Sequence, residues 1–130
     1  MKKEIIDVPG ISKHLRKEGI PLSAVVRAGG FVFVSGQPPV DRRTGKIPLV
    51  GITKQTQMVL DNIKVCLEAA GSSLDRVVKT TVFLMDLADF GEMNEVYARH
   101  VGDRPPARST VQISGLPSGA LVEIEAIAHI

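Results

Sequence analysis

The sequence is poor in aromatic residues: it has no tryptophan, one tyrosine and four phenylalanines, together 4% of the chain. Stacking of bases on aromatic rings is a principal way of binding single-stranded nucleic acid, so this scarcity argues against an RNA- or DNA-binding surface. It also means that the core must be built mainly from Val, Ile, Leu and Ala. The hydrophobic share of 44% is sufficient for such a core in 130 residues.

Cysteine and strong charge are also scarce. The lone Cys66 excludes an internal disulfide, and its apolar neighbours favour a small buried side chain over a reactive thiol. A net charge of +2 and a pI of about 8.9 are too mild to indicate nucleic acid as a partner. The first seven residues lack the apolar stretch of a signal peptide, and no membrane-spanning run follows, which favours a cytoplasmic protein with no membrane partner.

Several ligand-binding signatures are missing from the chain. His14, His100 and His129 are scattered and no cysteine pair accompanies them, so we expect no metal site. There is no Gly-x-Gly-x-x-Gly and no Gly-Lys-Ser/Thr loop, so we expect no bound nucleotide. The length and the lack of a linker or an internal repeat predict a single domain over residues 1–130.

Alternating and β-branched segments bounded by glycine or proline predict the strands. These are expected at residues 3–8, 24–28, 31–35, 77–85, 107–113 and 121–129. Gly29 and Gly30 are typical of a tight hairpin turn between the second and third strands. Residues 77–85 are apolar or β-branched at nearly every position, which predicts a strand covered on both faces.

Apolar residues at three- and four-residue steps predict a helix over residues 53–70, and Gly71 is suited to end it. A second helix is predicted to run to about residue 101, with Asp86 or Asp89 as its N-cap. The polar residues 11–18 are expected to form a helical turn.

The order β-β-β-α-β-α-β-β predicts an α+β fold, a mixed sheet with two helices on one face. The sequence offers no third layer for the other face. We therefore expect that face to meet another subunit.

Charge occurs in the last two strands where apolar residues are usual. Side chains alternate along a strand, so Arg108 and Thr110 share one face of the first, while Glu123 and Glu125 share one face of the second. If these strands form an antiparallel hairpin, the arginine and the glutamates line its polar face.

Arg108 and Glu123 together predict a site for a small carboxylic acid. A guanidinium binds a carboxylate through two parallel hydrogen bonds, and a partly buried glutamate has its pKa raised, so that it exchanges protons near neutral pH. The alternative is an ordinary cross-strand ion pair, worth less than about 1 kcal/mol. Spacing alone leaves both interpretations open.

Two further segments carry candidate binding residues. Gly36 allows close backbone approach to a ligand, and the adjacent Ser35 can donate a hydrogen bond. Asn94 lies on the shoulder of the second predicted helix, where an amide can orient a ligand. The alternatives are a kinked strand end and a polar flanking residue.

The blocks that carry a family resemblance are Val-Ser-Gly-Gln-Pro at 34–38, Asn-Glu-Val-Tyr at 94–97, Pro-Ala-Arg-Ser at 106–109, and Leu-Pro at 116–117 followed by Val-Glu-Ile at 122–124. From about residue 23 to its end, the chain resembles the RidA (YjgF-type) family of reactive intermediate deaminases. The resemblance implies a chorismate-mutase-like fold and a homotrimer with a central barrel, and clefts between subunits. It implies hydrolysis of enamine or imine acids such as 2-aminoacrylate to a 2-keto acid and ammonia, without a cofactor.

The same resemblance assigns roles to individual residues. Arg108 would clamp the substrate carboxylate, and Glu123 would activate the attacking water or protonate the leaving amine. Gly36 would offer backbone contacts with Ser35 beside it, and Asn94 would border the cleft. Thr110 stands where many relatives have cysteine, which alters the lining of the pocket.

The chain departs from the family before the first hairpin. Relatives active on imines usually carry Gly-Pro-Tyr-Ser-Gln there, whereas this chain has Leu22 in place of the tyrosine, so we expect a more apolar pocket. A specialised enamine deaminase of the 2-aminomuconate type is therefore an alternative. A non-catalytic module that binds small carboxylates or other metabolites is a second. A ribonuclease, a label sometimes given to the family, is disfavoured by the mild charge and the few aromatics.

Overall fold

The computed structural model describes residues 2–130, and Met1 lies outside this part. Within it, six strands form one sheet: β1 Glu4–Ile6, β2 Val25–Ala28, β3 Phe31–Gln37, β4 Val77–Leu84, β5 Ala107–Gln112 and β6 Val122–His129. The α-helices are α1 Ser12–Lys17, α2 Ile52–Ala69 and α3 Phe90–Val101. The predicted α+β class with a mixed sheet is confirmed, and the helical turn expected at residues 11–18 is a third, short helix.

Helix α2 begins after Gly51, and its apolar residues at three- and four-residue spacing are buried. The chain leaves the helix through Gly71, whose φ of 79° lies in the left-handed region that glycine adopts without strain. The predicted helix, residues 53–70, is therefore displaced by one residue at each end.

Helix α3 follows a 3₁₀ turn at Leu87–Asp89. The side chain of Asp86 caps that turn by accepting a hydrogen bond from the backbone N–H of Ala88 at 2.8 Å. Asp89, the other predicted cap, makes no side-chain capping bond to α3. The start of the helix is thus fixed through the turn that precedes it.

The strands are ordered β1-β2-β3-β6-β4-β5 across the sheet. All neighbours are antiparallel except β4 and β5, which are parallel. The predicted tight turn between β2 and β3 is confirmed, with positive φ at both Gly29 and Gly30.

The predicted hairpin between the last two strands is wrong, because β4 lies between β5 and β6. Helix α3 connects β4 to β5, and such a crossover returns the chain parallel to the strand that it left. The other edge of β4 is then free, and β6 pairs with it in the antiparallel sense.

The core lies between one face of the sheet and the helices α2 and α3. It is aliphatic, as the scarcity of aromatics predicts, and Tyr97 is the aromatic residue within it. The alternation predicted for the final strand is confirmed, since Val122, Ile124, Ala126 and Ala128 are all buried.

The opposite face of the sheet is open within one chain. On β4 the side chains of Val82 and Leu84 are buried, whereas those of Thr81 and Phe83 are only partly covered. The prediction that this strand is covered on both faces is therefore not met by a single copy. Phe31 and Phe33 of β3 are exposed on the same open side.

No helix in residues 2–130 is both long and apolar enough to cross a membrane.

Candidate functional site

Arg108 and Glu123 lie on opposite faces of the sheet. Arg108 pairs in register with Thr80, whose buried side chain faces the helices, while Glu123 pairs with Phe83 on the open face. Paired residues on neighbouring strands project to the same side. The expectation that Arg108 shares a polar face with Glu123 and Glu125 is therefore wrong within one chain.

The candidate site has two parts, one around Arg108 (the arginine half) and one around Glu123 (the glutamate half). In the arginine half, aromatic rings hold the guanidinium in position. The guanidinium carbon of Arg108 lies 4.8 Å from the ring centroid of Tyr97 and 5.5 Å from that of Phe90, both on α3. The Tyr97 hydroxyl is in turn hydrogen-bonded to Oγ1 of Thr80 at 2.6 Å. Cation–π contacts leave the N–H groups in the guanidinium plane free to bind an anion.

A cleft of about 340 Å³ opens beside Arg108 and is lined by Asn94, Tyr97 and Val101, among others. The structure thus brings the predicted residues Arg108 and Asn94 together. The amide oxygen of Asn94 is buried and has no hydrogen-bond partner among the described residues. A buried acceptor without a partner is unfavourable, so a ligand or water donor is expected there.

Thr110 does not line this cleft, although it lies on the same face of β5, two residues beyond Arg108. Its hydroxyl oxygen is also buried without a partner in the described part of the chain. Thr110 therefore borders the arginine half rather than forming its wall.

The glutamate half of the candidate site lies in a second cavity of about 620 Å³, which we call the glutamate cavity. Leu22, Ser35, Gly36 and Glu123 all line it, so four of the predicted residues meet there. The hydroxyl of Ser35 donates to the backbone carbonyl of Ser23 at 2.6 Å, so its proton is engaged within the chain.

Gly36 and Glu123 approach each other closely. The register of β3 against β6 shifts between Val34 and Gln37, and Gly36 lies within this irregular stretch. A methyl group at Gly36 would lie 3.0 Å from the carboxyl carbon of Glu123, and nearer still to Oε2. The missing side chain is therefore what admits the carboxylate to this position.

The carboxyl of Glu123 is half-buried, and its pKa is raised. Burial is the main cause, because it disfavours the charged form, and the nearby carboxylate of Glu125 adds repulsion. A glutamate in this condition gains and loses a proton nearer to neutral pH than an exposed one does. This property is the one that acid–base chemistry requires.

Two further observations concern metal-ligating side chains and the thiol of Cys66. Among residues 2–130 no group of three or more His, Cys, Asp or Glu side chains is arranged to hold a metal ion. Burial raises the pKa of the Cys66 thiol to about 12, so it stays protonated and unreactive.

The sequence did not identify Phe90 or Tyr97 as partners of Arg108, although Tyr97 belongs to one of the blocks that carry the family resemblance. They are seven residues apart, a spacing that places both on one face of a helix. That spacing is visible in the sequence. The register that sets Arg108 beneath them depends on the β4–β5 pairing.

A family model described as endoribonuclease L-PSP matches residues 16–130. A RutC family protein of Pyrococcus horikoshii is 52% identical over 109 residues, which cover 84% of this chain and 86% of that protein. The chloroplastic Reactive Intermediate Deaminase A of Arabidopsis thaliana is 40% identical over 128 residues, 98% of this chain and 66% of that protein.

The fold agrees with these sequence matches. A crystal structure of Escherichia coli TdcF with bound serine superposes with a TM-score of 0.79 at 42% identity, covering 85% of this chain and 88% of that one. The resemblance inferred from the four sequence blocks is thereby confirmed, and the chain belongs to the RidA family, the YjgF, RutC and endoribonuclease L-PSP group of proteins.

Proposed function

We propose that this protein hydrolyses small enamine and imine acids to 2-keto acids and ammonia without a cofactor. The observation that carries the proposal is the carboxyl of Glu123, which lies against Gly36 in a cavity and has a raised pKa. The name of the Arabidopsis relative, a reactive intermediate deaminase, supports the same class of reaction.

In the proposed reaction, an enamine acid first tautomerises to its imine. Glu123 accepts a proton from water as the water oxygen adds to the imine carbon. The same carboxyl returns this proton to the nitrogen, which gives a carbinolamine. Glu123 then takes the proton of the carbinolamine hydroxyl and delivers it to the amino nitrogen, so that the C–N bond breaks and ammonia leaves as the carbonyl forms. One water is consumed and no electrons are exchanged, so the step needs no redox partner.

Arg108 is proposed to bind the substrate carboxylate. Its guanidinium is held against the rings of Tyr97 and Phe90, and this restraint reduces the entropy lost on binding. The related TdcF was crystallised with serine, an amino acid that also carries a carboxylate. That ligand supports the proposal that the cleft beside Arg108 in the present chain binds a small carboxylate.

The two halves of the site are proposed to meet in a homotrimer. Arg108 lies on β5, the edge strand, and Glu123 lies on the open face of the sheet, so a neighbouring copy has to supply one of them. The exposed Phe31 and Phe33 make that open face suitable for burial. The sheets of three copies would form a central barrel, and each interface between copies would complete one site.

The decisive experiment measures ammonia released from 2-aminoacrylate, and from imines of larger amino acids, generated in place by an amino-acid dehydratase or oxidase. We expect Arg108→Ala to lower kcat/KM about 100-fold or more, because a bidentate, charge-assisted contact is lost. Arg104→Ala, an exposed arginine nearby, is the matched control. Unchanged turnover in Arg108→Ala, at an unchanged oligomeric mass, would refute the clamp.

A second candidate is a binding module that senses 2-keto acids without turnover. The observation that favours it is Leu22, which lines the glutamate cavity without the hydroxyl that imine-active relatives carry. Binding of 2-keto acids with no ammonia release from any member of the imine panel would select this function.

A further inference from the structure

The glutamate cavity is far larger than the reaction at its end requires. Its volume of about 620 Å³ falls in the range of roughly 300–1,000 Å³ that holds drug-sized ligands. A three-carbon enamine acid would occupy only the end at Ser35, Gly36 and Glu123. The remaining space extends toward the N-terminal segment and the loop after β3.

One wall of this space is apolar and fixed in position. It is formed by Ile11, Leu15, Ile20 and Leu22. Ile11 and Leu15 also pack against the core, and the backbone N–H groups of Ile20 and Leu22 donate to the carbonyls of Leu15 and Ile20 at 3.0 and 2.8 Å. Leu22 nevertheless remains 50% exposed, so a ligand can cover it. Such a wall favours an aliphatic chain over a polar one.

Arg42 provides a positive charge on the same cavity. Its side chain passes Gly10, where an added methyl would lie 3.7 Å from the Arg42 Cβ. Within residues 2–130, no carboxylate forms an ion pair with Arg42. The adjacent Arg43 also lines the cavity, but its guanidinium is paired with Asp41 at 3.3 Å.

The charges on the cavity impose an orientation on a long ligand. An anionic group at the end of a side chain is repelled by Glu123 and attracted by Arg42. The imine carbon would then lie at Glu123, with the chain along the apolar wall.

We propose that this cavity selects 2-imino acids whose long aliphatic side chain ends in a carboxylate, and that Arg42 binds this distal group. The inference rests on the proposed function, because it assumes that the imine carbon lies at Glu123. Leu22 then determines chain length, and Arg42 determines charge.

The test is calorimetric binding of three product-type acids to the intact protein: 2-oxobutanoate, 2-oxohexanoate and 2-oxoadipate. The last two have chains of equal carbon number and differ in the distal carboxylate. We expect 2-oxoadipate to bind about two- to fivefold more tightly than 2-oxohexanoate, the gain that a partly exposed ion pair gives. Arg42→Ala should abolish that difference, whereas Lys46→Ala, which removes a charge from the same loop outside the cavity, should preserve it.

The outcomes separate two proposals: that Arg108 binds the substrate carboxylate, and that Arg42 binds a distal carboxylate. Binding of 2-oxobutanoate that is lost in Arg108→Ala supports the carboxylate site, whatever the chain-length preference. Equal affinities for 2-oxohexanoate and 2-oxoadipate, or a preference that survives in Arg42→Ala, would overturn the role of Arg42 and leave the carboxylate site standing. Failure of all three acids to bind would overturn both proposals.

Discussion

At the scale of single residues, the position of the Glu123 carboxylate depends on the lack of a side chain at Gly36. Gly36 has no φ in the left-handed region, so its backbone conformation is open to other residues. What requires glycine there is the carboxylate of Glu123, which occupies the space of a Cβ. The requirement is therefore local and steric.

Gly36→Ala tests this requirement. We expect a loss of about tenfold or more in kcat/KM with the fold retained, because the methyl displaces the flexible end of Glu123 and not the backbone. Gly91→Ala in α3 is the matched control, since nothing lies within 4 Å of its added methyl. Circular dichroism and turnover are measured on both, and a fully active Gly36→Ala would contradict the proposed position of Glu123.

The pKa of Glu123 predicts the pH dependence of turnover. Acting as a base, Glu123 must be ionised, so kcat/KM rises with pH through its pKa, which burial and Glu125 place above the ordinary value of about 4.3. Glu125→Gln removes the repulsion between the carboxylates, so the acidic limb of the profile should move to lower pH. Glu68→Gln, on the exposed side of α2, should leave the limb in place. A limb that moves upward in Glu125→Gln would be inconsistent with this assignment.

At the scale of elements, a buried glutamine on α2 joins the loops that flank the site. The side-chain N–H₂ of Gln55 donates to the carbonyls of Pro48 and Gly119 at 3.2 and 3.1 Å. Its side-chain oxygen accepts from the backbone N–H of Leu121 at 2.7 Å, just before β6 and Glu123. Gln55 itself is completely buried, so its side-chain amide depends on these three hydrogen bonds.

Gln55→Leu should destabilise the protein by about 2–4 kcal/mol. The substitution keeps the approximate volume, leaves an apolar side chain in place of a buried amide, and removes the hydrogen-bond partner of two carbonyls and one N–H that are partly shielded from water. Urea unfolding of this variant and of Lys54→Ala, an exposed neighbour on the same helix, measures the difference. A change below about 0.5 kcal/mol for Gln55→Leu would show that water or alternative partners satisfy the three groups.

At the scale of the whole molecule, the open sheet face is the surface that we propose is covered by a neighbouring copy. Phe33 is 43% exposed there and lies in register with Val26 and Ile127 on the neighbouring strands. Such a continuous apolar row is typical of an interface between subunits. In the proposed trimer it would face the central barrel.

Phe33→Asp should dissociate the assembly, because a carboxylate would be buried without a partner. Light scattering should give three times the 14.0 kDa chain mass for the native protein and a single chain mass for the variant. Leu49→Asp is the control, since Leu49 is 86% exposed and lies off the sheet. A native protein that is already monomeric, yet active, would exclude a site shared between copies.

Local patterns in the sequence determined the elements of this protein. The periodic apolar residues of α2, the glycines at 29 and 30, and the alternation in β6 depend only on near neighbours, and all were correctly predicted. The residues Leu22, Ser35, Gly36 and Glu123 were likewise named from sequence blocks, and the structure places them around one cavity.

The tertiary structure alone decided which strands are neighbours and therefore where Arg108 lies. Strand β5 could pair with β6 as a hairpin or with β4 through the α3 crossover, and local patterns suit both arrangements. The crossover places Arg108 under Tyr97, on the face opposite to Glu123. Strand pairing is settled by packing α3 against the sheet, a long-range interaction that no local window of the sequence contains.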